Sequence, residues 1–521
     1  MKRYISILFA FHICISLSAQ KELNNWFSGT YSGITWNQTR SFQATGLFGT
    51  ADAILDGLPT EIIGSPMTTA EGCYSLSDNQ GNLLFYSDGR NIYNRKLEVM
   101  ENGTDMYGNI SSSQSGVILP FPGSKTKFIS LSLGACNSNQ DILAYSIVDM
   151  NKDTNGGFED GAVLEKNIIF TGHPESTLTN ESMTAIRHAN GRDYWIIAPS
   201  KSVGATYLNA WLATPTEIHN TTPVTTFITS TTNNNWASAT GYIKLTPDGK
   251  HFAWGTWGDN RLFFGDFDAS TGQFSNVKSI DATRPYGIEF SVSGKYLYTT
   301  QANGSTAASS GIVIYDFEAL LAASNPSSVP VKSHTDIWAH GAVQLGPDLR
   351  IYINRRNEYK TDRSIYVIDN PEDYDNLRYY LLEDFISGDV YSGGVLYSGV
   401  GGFAMGLPSF TGSWFNISIE GEEKFCERTL QKYTVNMDEY LSDASYIIWD
   451  WGDGNRSSQQ PVSSGVQSYS ADHAFDAGDY TITVEAYKNG ETAPFRYYML
   501  DVEAINCGIP VNPHLKTNVK G

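Results

Sequence analysis

The stretch Tyr242-Ile-Lys-Leu-Thr-Pro-Asp248-Gly249-Lys-His-Phe-Ala253 joins an apolar-alternating run to a second run rich in aromatics through a tight Pro-Asp-Gly turn. The phrase returns five more times. Tyr74 to Tyr86 turns at Gly81, Val117 to Ile129 at Gly123, Ala185 to Ile196 at Gly191, and Ile288 to Tyr298 at Gly294. Val343 to Tyr352 turns at Pro347-Asp348. Pro presets the turn, Asp bonds its own backbone, and Gly supplies positive φ. Six copies of one hairpin mean one supersecondary unit used many times, which decides the architecture before any catalytic motif is considered.

The turn glycines are 42, 68, 58 and 45 residues apart, and a four-stranded propeller blade takes about 40–50 residues plus loop insertions. A further strand ending on Asp follows the later copies: Leu262 to Asp268, Ile312 to Asp316 and Ile365 to Asp369. One such sheet cannot bury both faces alone, so the sheets must pack radially. The expected fold is therefore all-β: a seven-bladed β-propeller followed by an immunoglobulin-like β-sandwich. The seventh blade is expected to be composite. Gly406-Leu-Pro-Ser-Phe410 would give its inner strand and Trp26 to Trp36 the rest, leaving the ring no long open edge. Aromatics at 13%, 48 glycines and only 17% charged residues fit a turn-rich β-protein and argue against a helical or disordered chain.

The N-terminus assigns the compartment. Met1-Lys2-Arg3 is a basic start, Ile5 to Leu17 is mostly apolar, and Ser16-Leu-Ser-Ala19 offers small residues for cleavage before Gln20. That is the pattern of a secretory signal peptide, and it is too short for a membrane span. Cys14 lies between Ile13 and Ile15, without the small neighbour a lipoprotein cysteine needs. The expected segments are a signal peptide at 1–19, the propeller at 20–415, the sandwich at 416–510 and a tail at 511–521. The product would be periplasmic, outer-membrane-associated or extracellular. Cleavage removes Lys2 and Arg3 and no acid, taking the formal charge from −20 to −22. Such a field repels nucleic acid and anionic membrane.

Four cysteines remain after cleavage: Cys73, Cys136, Cys426 and Cys507. An oxidising compartment allows bridges. Cys426 and Cys507 bracket one small domain and are the expected pair, tying its first strand to the end of its last. Cys73 falls inside a blade strand and reads as a buried small hydrophobe.

After Trp414 the pattern changes to short alternating strands around Tyr446-Ile-Ile-Trp449 and Tyr480 to Tyr487. Between them lies the turn Trp449-Asp450-Trp451-Gly452-Asp453-Gly454, and His473-Ala-Phe475 and Gly478-Asp-Tyr480 lead into the last strands. These residues resemble the PKD family of immunoglobulin-like domains, with Trp451, Phe475 and Ala477 standing where that family has Phe, Tyr and Pro. The resemblance implies a β-sandwich spacer or binding module. The phrases Glu71 to Asp78, Gly81 to Gly89, His188 to Trp195, Pro285 to Phe290, Gln344 to Asp348 and Gly406 to Phe410 resemble Bacteroidota-type secreted proteins. Those carry a propeller followed by PKD modules and are related to gliding-motility-associated, type IX secretion surface proteins. Their C-terminal sorting domain has no counterpart after Cys507, so export by that route is not expected.

Catalytic signatures are missing from the sequence. There is no G-x-S-x-G elbow, no H-E-x-x-H, no Walker loop and no dinucleotide fingerprint. His334 and His340 flank five residues, a spacing that fits neither one helical face nor a zinc finger. The run Asp149-Met-Asn151-Lys-Asp153-Thr-Asn155-Gly-Gly-Phe-Glu-Asp160 sets oxygen-bearing side chains at alternate positions, as in a calcium loop. Thr154 occupies the place of that loop's Gly and Asp160 that of its Glu. A polar hairpin insertion is the competing reading, and Ca²⁺ is the only candidate cofactor. Trp236, Trp254 and Trp257 could stack on sugar rings if exposed, or pack between blades.

Three function classes follow. The first is a non-enzymatic binding or scaffold protein at the cell envelope, recognising an envelope or extracellular protein or a glycan. The second is a carbohydrate-active enzyme with its site in the propeller channel. The third is a structural component of an envelope or secretion assembly. Propellers host all three. The missing catalytic motifs favour the first.

Overall fold

The computed structural model describes residues 21–135, 142–150, 160–173, 181–202, 204–229, 240–302, 310–335, 337, 339–355, 362–392, 395–415, 419–437 and 439–507. All six repeated phrases are antiparallel hairpins. Each opens a sheet whose strands follow in chain order, and these sheets, blades 1 to 6, span 74–94, 118–169, 184–229, 243–281, 285–335 and 343–382. Blade 1 has three strands. Blades 2 to 5 have four each, and blade 6 has four of its own. The turn residues Gly81, Gly123, Gly191, Gly249 and Gly294 take φ between +74° and +88°. In the sixth turn Leu349 takes φ +61°, held by its N–H donating to Gly346 O at 2.9 Å.

The ring closes through the N-terminal strands β1 (Asn25–Ser28), β2 (Ser32–Leu47) and β3 (Ala53–Ile62). The end of β2 pairs with the outer strand of blade 6, Thr45 facing Leu381. On the other side Asn25 Nδ2 donates to Ser77 Oγ at 2.9 Å and Gly81 O at 2.8 Å in blade 1. The inner strand expected from Gly406–Phe410 takes a different form. That segment runs beside Glu71 to Cys73, just before blade 1, and makes no ladder. Gly402 and Thr30 exchange two backbone bonds of 2.9 Å, and Pro408 bridges Cys73. Pro408 has no N–H to give, and Gly406 lies so close to Glu71 that a Cβ there would sit 1.7 Å from its carbonyl oxygen. The segment is therefore wedged between blades rather than woven into one.

Blade faces are closed by apolar and aromatic packing. Trp211, Trp254, Tyr74 and Tyr298 are among the fully buried side chains. Their polar tips find partners: Trp254 Nε1 donates to Ser182 Oγ at 3.1 Å and Tyr298 Oη to Pro371 O at 2.6 Å. Cys73 is buried and unbridged.

Residues 419–505 form a two-sheet sandwich, three strands against five, around Trp449, Tyr433, Phe475 and Val484. The expected Cys426–Cys507 disulfide is present, with Cα atoms 5.3 Å apart and a sequence separation of 81. A loop of that length is worth about 4–5 kcal/mol in the chain-entropy model. The sandwich docks on the turn end of the ring. Tyr497 N donates to Asn190 O at 2.7 Å, and Arg496 Nη1 to Ala189 O at 2.8 Å. Arg192 lies 5.2 Å from the Tyr497 ring centroid.

Candidate functional site

Inner strands alternate, sending apolar side chains between blades and polar ones to the ring axis. In three consecutive blades the residue five positions before the left-handed turn residue is polar: Lys244, Glu289 and Gln344. They join into a belt. Lys244 Nζ meets Glu289 Oε2 at 3.0 Å and Gln344 Oε1 at 2.8 Å, with Lys244 and Glu289 only 3% and 7% exposed at their side chains. A buried ion pair of this kind stands only when each charge is answered, and Leu345 N also donates to Glu289 at 3.3 Å.

A second polar layer lies where the inner strands begin. Glu71 accepts from Tyr286 Oη at 2.7 Å and from Ser111 Oγ at 3.2 Å. Glu181 accepts from Ser113 N at 3.1 Å and Ser113 Oγ at 2.9 Å. Gln114 links three blades, taking bonds at Oε1 from Met183 N (3.2 Å) and Ile243 N (2.9 Å). Burial, then the charge of Glu71, raises the Tyr286 phenol well above its ordinary pKa; for Tyr242 burial acts first, with Cys73 and Glu71 adding to it. Both phenols stay protonated. Tyr242 Oη has no hydrogen-bond partner among the described residues.

The segment after Gly402 fills the space these layers leave. Met405 N donates to Ala70 O at 3.1 Å, Ala342 N to Met405 O at 2.7 Å, and Ser409 N to Cys73 O at 2.9 Å. Thr411 Oγ1 then reaches Ala185 O at 2.6 Å in blade 3. Chemically, a tyrosine donating to a carboxylate could serve acid–base catalysis. Yet Glu71, Glu181, Tyr242 and Tyr286 are 4%, 2%, 1% and 3% exposed, so a substrate atom has no approach to them among the described residues.

The residues singled out from the sequence fall elsewhere. Asn151, Asp153 and Asn155 lie outside the described residues. Of the same run, Asp149 ends a blade 2 strand opposite Lys127, and Asp160 pairs with Lys96 at 2.5 Å. Among the described residues no three His, Cys, Asp or Glu side chains are placed to hold a metal. In the sandwich turn Asp450 Oδ1 accepts from Gly452 N at 3.0 Å. Asp453 accepts from Asn455 N at 2.9 Å and faces His473 Nε2 at 2.8 Å. Gly452 and Gly454 take φ +74° and +91°, and Trp449 is core. This turn is structural. His334 and His340 part company: His334 stacks on Phe48, and His340 meets Ser310 Oγ at 2.7 Å. Trp254 is buried, Trp257 lies under Arg284, and Trp236 and Cys136 are outside the described residues. Sequence reading missed the axial belt. Its signal was available in the last three copies, where a polar residue stands five positions before the turn residue while the first three have Leu76, Ile118 and Ile186 there.

No protein-family model matches the chain, and no curated protein does. The family resemblances above rest on their motifs alone. Solved structures it resembles include β-propellers. A provisionally assigned 6-phosphogluconolactonase of Bacteroides uniformis is 14% identical with a TM-score of 0.41, over 73% of this chain and all (100%) of that one. A Bacteroides fragilis protein given the same assignment is 10% identical with a TM-score of 0.40, over 68% and 93%. The β-propeller domain of Myceliophteria thermophila Cps50 (Swd1) is 11% identical with a TM-score of 0.34, over 69% and 99%. Likeness at this level says nothing of chemistry.

Proposed function

We propose that this protein is a non-enzymatic binding protein of the cell envelope or exterior, recognising a protein or glycan partner through loops on a rigid ring. The observation that carries this reading is the filled axis. Tyr286 is bonded to Glu71 and Glu181 to Ser113, and these groups with Tyr242 are buried beside the segment 402–415. Loops on a rigid scaffold carry recognition, and the ring offers them at both ends. The disulfide suits an oxidising compartment, and the N-terminal pattern supplies the route there. No helix among the described residues is long and apolar enough to cross a membrane. The sandwich, with its PKD-like turn, would act as spacer or second binding module, and a structural role in an envelope assembly would use the same surfaces.

The Tyr286–Glu71 pair favours one competing reading, a carbohydrate-active enzyme working at the axis. The two separate under one assay. Mature protein is incubated with polysaccharides and peptides across pH 5 to 9, and new reducing ends and amines are measured. The expected result is no turnover. Hydrolysis abolished by Glu71→Gln would establish the enzyme instead.

A further inference from the structure

The hairpin that closes the ring carries an exposed aromatic in an unusual backbone setting. Phe48, at the tip between β2 and β3, takes φ +53° and is 42% exposed. A bulky side chain costs about 1–2 kcal/mol in that region, and such strain gathers at ligand clamps. The ring is nonetheless held firmly. One face stacks on His334, centroids 4.2 Å apart at 23°, and Tyr379 meets its edge at 5.4 Å and 90°. The remaining surface borders an open cleft of about 430 Å³, whose lining includes Phe48, Thr50, Asp52, Asn376, Arg378 and Tyr380. Small-molecule sites run from about 300 to 1,000 Å³.

The polar side chains around this cleft are also fixed in place. Asp52 Oδ1 accepts from Gly46 N at 2.8 Å, a bond that does not use Oδ2. Arg378 is anchored by Nε and Nη2 to Asp369 Oδ2 at 3.1 and 2.5 Å, with Nη1 in neither bond. Thr50 Oγ1 accepts from Tyr379 N at 3.2 Å and keeps its own proton to give. Asn376 donates to Asp373 at 3.1 Å. Each residue is thus oriented by one set of bonds and retains hydrogen-bonding capacity, the preorganisation that recognition sites need.

We propose that this cleft binds a neutral pyranose glycan, one sugar ring lying on Phe48 while its hydroxyls pair with Asp52 and Arg378. The proposal rests on the binding reading above and names its ligand class. An aromatic face suits the C–H face of a sugar. A carboxylate and a guanidinium lining the same cleft suit hydroxyls, which both donate and accept. The cleft is open, so an internal unit of a long chain can lie across it. The chain's formal charge of −20, with Asp52 at the site, disfavours uronic or sulfated polymers.

The test is calorimetric titration of the full mature chain with cellohexaose, mannohexaose, xylohexaose and laminarihexaose, with oligogalacturonate as the anionic comparison. At least one neutral hexasaccharide should bind with a sub-millimolar Kd. Phe48→Ala should weaken it about tenfold, Asp52→Asn about fivefold, and Phe48→Tyr should hold it within about twofold. Thermal melts of the three variants establish that they fold, and the tyrosine variant keeps the aromatic contact if the alanine variant does not fold. Binding that survives Phe48→Ala overturns this site while leaving a glycan-binding protein. Binding of oligogalacturonate alone, or of none of the sugars, overturns the ligand class. A peptide partner found to compete at Phe48 would do the same, and would leave the non-enzymatic reading intact.

Discussion

Two regions of this molecule gather charge in opposite ways: the axis is buried, whereas at the seam Glu22 and Glu423 are half-buried and Asp479 is exposed. At the ring axis each buried charge is answered: Lys244 by Glu289 and Gln344, Glu71 by Tyr286 and Ser111. At the seam between ring and sandwich, Glu22 meets its own sign. Burial, then the carboxylates of Asp501, Glu423 and Asp78, pushes its carboxyl up to about 8. Burial also raises Glu423, with Lys21 opposing and Asp501 and Glu422 adding to it. It raises Asp479 as well, with Glu503, Asp501 and Asp78 adding and Lys125 opposing. The contrast teaches that the ring pairs its buried charges with opposite charges or donors, whereas the seam gathers like ones. The sandwich is held on by a few bonds to blade 3 and set against a repulsion that protons relieve.

The largest expected effect breaks the axis. Lys244→Ala leaves Glu289 buried without its cation, and such a break costs about 3–5 kcal/mol. Denaturant unfolding of the ring measures it. A loss under about 1 kcal/mol would mean that the axis is as well solvated as the seam, and the contrast would collapse.

A smaller effect sharpens the seam. In Gly191→Ala the new Cβ would sit 1.8 Å from Tyr497 O, at φ +80°. Gly294→Ala carries a similar φ penalty at +74°, but its Cβ meets only Thr246 and Pro247 within the ring, the nearest atom at 3.2 Å. Gly191→Ala should therefore add about 1–3 kcal/mol of steric cost beyond that control, visible as a larger radius of gyration in X-ray scattering. Equal behaviour of the two variants would show that the seam carries no load.

The smallest effect is in pH. The docked carboxyl of Glu22 has its pKa raised from 4.5 to about 8, so docking favours the protonated form. Its contribution is complete below about 4.5, weakens as pH rises towards about 8, and is then flat. Melting temperature should fall across that window in wild type and fall less in Glu22→Gln, with Glu423 and Asp479 keeping a residual slope of the same sign. A variant with the wild-type slope would remove Glu22 from the account.

Much of the ring was legible because its turn is local chemistry. Pro-Asp-Gly at Pro247 to Gly249 needs nothing distant to fold back. The sixth copy was recognisable from Pro347-Asp348 even though Leu349 stands at the left-handed position. The sandwich was legible for the same reason, from Asp450 and Asp453 folding onto their own backbone. The axis was not. Tyr286 and Glu71 are 215 residues apart in sequence, and neither has a neighbour that announces the other. Phe48 was equally silent, since a hairpin tip between Gly46 and Gly49 gives no sign of which ring it will lean on.

The sequence by itself determined the repeat, its turns, the all-β ring-and-sandwich plan, the Cys426–Cys507 pair and an acidic chain with an export-like start. Each of these is written in neighbours, spacings or totals, so no long-range contact has to be known. Only the tertiary structure decided that Gly402 to Phe415 fills the axis instead of completing a sheet, that Lys244, Glu289 and Gln344 form one belt, and that Phe48 rests on His334. These depend on which strands become neighbours when the ring closes, and closure is set by packing summed over every blade rather than by any one stretch of chain.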